Sequence, residues 1–103
     1  MQFEELLLLA ENVSSRTLFS VAPFIMRRSV DGKYMGAMGG IHDKLQQQFT
    51  ARLSGNRFEF ADTLEELCDR LAARLVVIER LRLLTMDQSR SEAERAAAWN
   101  ELF

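Results

Sequence analysis

A small α+β domain is the fold class this sequence predicts: an antiparallel sheet of two hairpins packed on one long helix, with a short helix at each end. Three observations carry it. The stretch from Asp62 to Met86 is amphipathic, an Asp31-Gly32 pair separates two segments of strand character, and an alternating run from Lys44 to Leu53 leads into a second turn at Gly55-Asn56. The competing architecture is an all-helical bundle, since residues 17–53 also admit helical readings.

The long helix has a start signal and a core stripe. Asp62 or Thr63 can accept from the free backbone N–H groups of a first turn, and Glu65 and Glu66 place negative charge at the positive end of the helix dipole. At 100° per residue, Leu64, Leu67, Cys68, Leu71, Leu75 and Ile78 form one apolar stripe, with Glu65, Glu66, Asp69 and Arg70 facing away. After Leu75 a second stripe of Val77, Ile78, Leu81 and Leu84 is rotated by roughly 100° on the same wheel. Its cover is either the C-terminal segment folding back or the surface of another molecule.

The remaining elements follow in order. Phe3, Leu6, Leu7 and Ala10 share a helical face, with a stop at Asn12 to Ser15; Leu8 and Leu9 widen the apolar arc, which predicts little solvent exposure. Residues 16–28 are rich in β-branched and aromatic side chains, and Pro23, which lacks a backbone N–H, marks an edge or a bulge if they form a strand. Asp31-Gly32 suits a type I′ turn, and Tyr34 to Met38 would be the returning strand; a helix from about Ser20 capped by Gly32 competes with it. Gly36, Gly39 and Gly40 suggest a flexible corner. In the second hairpin, a turn at Gly55-Asn56 would pair Leu53 with Phe58 and Ala51 with Phe60. Beyond the polar link 87–90, Ser91 with Glu94 reads as a capping box. The alanine-rich helix it opens is thin, and Trp99, Leu102 and Phe103 serve as its anchors.

Composition narrows the function. The chain has 103 residues, enough for one domain spanning 1–103, and shows no repeat or dividing linker. Thirteen basic and fifteen acidic residues give a net charge of −2 with interspersed signs, which argues against a broad nucleic-acid surface and against an acidic DNA mimic. One cysteine excludes an intrachain disulfide, and the acidic N-terminal segment is unlike a signal peptide. A soluble cytoplasmic protein with no membrane partner and no cofactor is expected.

No residue set amounts to an active site. His42 stands beside Asp43 and could be a general base in a pocket, but no second histidine or nucleophile elbow accompanies it. Cys68 lies on the core stripe and reads as a small buried hydrophobe. The Gly36 to Gly40 run matches neither the dinucleotide nor the Walker spacing. Glu65 and Glu66 point to different sides of a helix and serve its dipole.

The expected function is that of a non-enzymatic protein-binding module, a small adaptor, inhibitor or chaperone-like protein. Val77, Leu81, Leu84, Trp99 and Phe103 would supply its apolar contact surface, with homodimerisation as one use of it. Met26, Met35 and Met38 with Tyr34 would offer a further adaptable face. The alternative is a nucleic-acid-binding regulator touching phosphate through Arg27, Arg28 and Lys33 around the Asp31-Gly32 turn.

Overall fold

Caps, hydroxyls and glycines set the element boundaries. The computed structural model describes residues 1–43, 48–50 and 58–102, with residues 40–43 and 48–50 described as backbone alone. In chain order it contains α1 (Phe3–Thr17), β1 (Val21–Arg27), β2 (Tyr34–Asp43), β3 (Gln48–Thr50), β4 (Glu59–Ala61), α2 (Leu64–Met86) and α3 (Glu92–Leu102). This is the expected α+β architecture, a small antiparallel sheet with three helices.

The long helix starts as its sequence dictates, with the Thr63 hydroxyl accepting from Glu66 N–H at 3.2 Å. Ser91 does the same for α3, accepting from Glu94 N–H at 3.1 Å. Helix α1 runs past the expected stop because its hydroxyls are satisfied inside the helix: Ser14 donates to Ala10 O at 2.8 Å and Thr17 to Val13 O at 2.6 Å. Val13 and Thr17 also continue the buried Leu6–Ala10 stripe. The helix ends on Leu18, whose φ of 60° turns the chain into the left-handed region. There Arg82 from α2 donates to Thr17 O at 2.9 Å and lies 4.0 Å from the Phe19 ring centroid. The little exposure expected for α1 is corrected: Leu7, Leu8 and Leu9 are all exposed, Leu8 by 60%. A single stripe suffices to hold this helix against α2 and β1.

Strand β2 is central. It pairs antiparallel with β1 on one side, from Val21↔Gly40 to Arg27↔Tyr34, and with both β3 and β4 on the other. The β1–β2 connection differs from a type I′ turn, because Gly32 has positive φ (68°) and Asp31 does not. Arg28 donates to Lys33 O and Gly32 to Arg28 O, closing a four-residue loop, Ser29 to Gly32. Pro23 sits on an edge strand, as expected. Val21 directs its N–H and C=O at the Ser14 hydroxyl, away from β2. Backbone direction alternates along a strand, so Pro23, two residues on, also faces away, where a missing donor costs no ladder bond.

The glycines expected at a corner lie inside β2 instead. Gly36 has a packing reason: a Cβ there would stand 2.6 Å from Phe24 O and 3.3 Å from Leu71 Cδ1, so its absence lets α2 approach the sheet. The expected Leu53–Phe58 and Ala51–Phe60 pairs involve residues 51–57, outside those described. Phe60 itself takes Met35 as its cross-strand partner.

The core lies between the sheet and α2. Met38, Val21 and Ala61 meet Leu67, Leu71, Leu75 and Ile78, while Leu6 and Ala10 close one flank and Ala98 and Leu102 the other. Among the described residues no helix is long and apolar enough to cross a membrane.

Candidate protein-binding surface

Alternation along the strands separates the sheet into two faces. Val21, Met38, Gly36 and Ala61 turn toward the helices. Met26, Met35 and Phe60 have the opposite parity, and the register places them in one row across β1, β2 and β4, Met26↔Met35 and Met35↔Phe60. In the next row Phe24 faces Ala37, which is fully buried. Met26 is 45% exposed, Phe60 and Phe24 about as much, and Phe58 at the head of β4 continues the apolar surface. The Arg28 guanidinium lies 5.4 Å from the Phe60 ring centroid and forms the rim at the hairpin end.

Of the methionine-rich face expected from sequence, Met26 and Met35 fall on this outer face. Met38 and Tyr34 fall on the inner one, because their positions differ from Met35 by odd numbers of residues. Phe60 joins this face through the pairing of β4 with β2, a contact that no local sequence pattern signals; its expected partner Ala51 lies outside the described residues.

The rotated stripe on α2 is accounted for within the chain. Leu81 is only 7% exposed, and Val77 and Leu84 are half-buried against the core, on the side where α3 packs on α2. Leu81 is therefore a core residue, and the chain itself supplies the cover. Trp99 is partly exposed and meets the Phe19 ring edge-on, with centroids 5.9 Å apart at 68°. Phe103 lies outside the described residues. The large apolar residues that α2 does present to solvent are Val76 and Leu83 in its second half, with Met86 at its end and Leu64 at its start.

Arg27, Arg28 and Lys33 are brought together at the β1–β2 loop, as expected, but each has a local partner. Arg28 lies 3.6 Å from Asp31, Lys33 lies 3.8 Å from Asp62, and Arg27 Nε donates to Gly32 O at 3.4 Å. Two carboxylates thus offset three cations at this end of the sheet.

His42 belongs to β2 by its backbone; its side chain lies outside the described residues. Cys68 is buried in the core, and burial pushes its thiol pKa up. A groove of about 450 Å³ runs between α1 and β1, lined by Leu7, Leu8, Glu11, Ser14, Val21 and Pro23 among others. Its Ser14 hydroxyl is already committed to backbone. Among the described residues no group of three His, Cys, Asp or Glu side chains is placed to hold a metal ion.

Comparison with protein-family models, with curated proteins and with solved structures gives no match to this chain.

Proposed function

We propose that this chain is a non-enzymatic protein-binding module that receives an apolar segment of a partner on the outer face of its sheet. The observation that carries this reading is the Met26–Met35–Phe60 row. An antiparallel sheet packed on one side normally alternates apolar inward and polar outward, and here the outward positions are methionine and phenylalanine. Unbranched, polarizable methionine side chains adapt to more than one apolar shape, which suits an adaptor, inhibitor or chaperone-like role in the cytosol. The Arg28 guanidinium beside Phe60 gives the apolar anchors a polar rim.

The test begins with a partner co-purified from the source cell, then purified and titrated. Changing Met26→Lys together with Phe60→Ser should weaken binding by about a hundredfold or more, the scale of a lost hot spot. Changing Leu8→Lys on α1 should leave it unaltered. Equal binding by all three proteins would overturn the assignment.

A single-stranded nucleic acid is the second reading, favoured by partly exposed Phe24 and Phe60 beside Arg28, since bases stack on aromatic platforms with cationic rims. Asp31 and Asp62 reduce the local positive charge and place it second. Salt-dependent oligonucleotide binding that disappears when Arg27, Arg28 and Lys33 are replaced would promote it; no binding at low salt would remove it.

A further inference from the structure

Helix α2 carries a second exposed face, distinct from the stripe that α3 covers. Asp69, Ala73, Val76, Arg80 and Leu83 are spaced four, three, four and three residues apart, which places them along one ridge, and all five are exposed. Val76 is 70% exposed, among the highest values of any large apolar residue described. The flank of this ridge is also apolar. Helix α1 runs alongside α2 in the same direction, with Arg16 bonded to Glu79 at 2.7 Å near one end and Gln2 bonded to Glu65 at 2.9 Å near the other. Leu9 and Ala72 each stand seven residues before Arg16 and Glu79, so exposed Leu9 borders the ridge close to Val76.

The charges on the ridge are unlike at its two ends, with Asp69 toward the start of α2 and Arg80 toward its finish. Asp69 also pairs with the N-terminal ammonium at 2.5 Å and keeps 62% of its side chain exposed. The geometry points to a second copy of this chain as the occupant, packed antiparallel along this ridge about a two-fold axis passing between Arg74 and Leu75. That register sets Asp69 opposite the second copy's Arg80, and Arg80 opposite its Asp69. It also sets Ala73 opposite the second copy's Val76, so a small residue receives a branched one at both symmetric positions. A parallel arrangement would oppose Asp69 to Asp69 and Arg80 to Arg80, and like charges across an interface disfavour it. The two charge pairs therefore select the antiparallel orientation. The interface uses neither the outer sheet face nor residues of the core.

Sedimentation equilibrium on the full chain, from micromolar to about 1 mM, tests this. A reversible dimer is expected. Val76→Lys should remove it, and Asp69→Arg or Arg80→Asp alone should each weaken it about tenfold, every substitution acting at both symmetric pairs. The combined Asp69→Arg, Arg80→Asp variant should recover most of the lost affinity. All these positions are exposed, so circular dichroism should report an unchanged fold; the thermal midpoint should hold for Val76→Lys and Arg80→Asp and fall slightly for Asp69→Arg, which also loses the pair with the N-terminal ammonium. Monomer at every concentration would overturn the proposal. So would a dimer unmoved by Val76→Lys, one that the combined charge reversal fails to restore, or one abolished by Met26→Lys on the sheet face.

Discussion

Val21, Met38 and Ala61 occupy β1, β2 and β4 one residue out of phase with Met26, Met35 and Phe60, and the two sets meet different surroundings. The first set is buried against α2 and α1, and the strand that carries it includes Gly36, where a side chain would strike the backbone of β1 and the tip of Leu71. The second set is large and apolar, with Met26 and Phe60 exposed and Met35 partly buried between them. Stability of the fold needs the first arrangement, since removing apolar area from water is what holds α2 to the sheet. It does not need the second, because serine or threonine at Met26 and Phe60 would leave the inner face untouched. Alternate residues of the same strands thus answer to different demands, and the outer set is the one that calls for a functional explanation.

That comparison can be broken at either face. The largest effect is expected inside: Leu71→Ala removes a fully buried side chain between α2 and β2 and should lower unfolding free energy by about 2–5 kcal/mol in urea titrations. Gly36→Ala comes next, at about 1–3 kcal/mol, because the added methyl meets the Phe24 carbonyl, which can yield only if β1 moves. On the outer face Met26→Lys should change stability by no more than about 0.5 kcal/mol, and a loss on the scale of Leu71→Ala would mean that both faces are core.

The smallest effect lies away from both. The Asp87 carboxyl is held below its ordinary value of 3.8 by hydrogen bonds from the Ser89 hydroxyl and backbone N–H. A depressed carboxylate contributes stability above its unfolded-state pKa and loses that contribution as pH falls through the folded value. Carboxyl NMR should therefore show an Asp87 midpoint below 3.8 that moves back toward it in Ser89→Ala.

Much of this fold is legible in the sequence where local rules and burial agree. Thr63 and Met86 bracket α2 as its capping residue and apolar periodicity require, Ser91 opens α3, and Pro23 marks an edge strand. Where two local rules compete, tertiary contacts decide. The serines after Asn12 signal a stop by composition, yet Ser14 and Thr17 bond back to the helix and add to its buried stripe. Gly36 resembles loop punctuation until the approach of Leu71 explains it as a strand residue. The rotated stripe on α2 offered two covers that the sequence cannot separate, and the packing of α3 resolves them, moving Leu81 from candidate surface to core. Met26 and Met35 are visible as a pair of matching parity, whereas Phe60 joins them only through the β2–β4 pairing, a long-range contact with no local signal.

Peroxide footprinting of the methionines, read by mass spectrometry, tests the division of the sheet most directly, since oxidation follows access to the thioether sulfur. In the free protein Met26 should oxidise readily while Met38, fully buried on the inner face, stays intact. With a purified protein partner at saturation, oxidation of Met26 and Met35 should slow severalfold. A Met26 as protected as Met38 in the free chain, or one that oxidises at the same rate with the partner bound, would contradict the account.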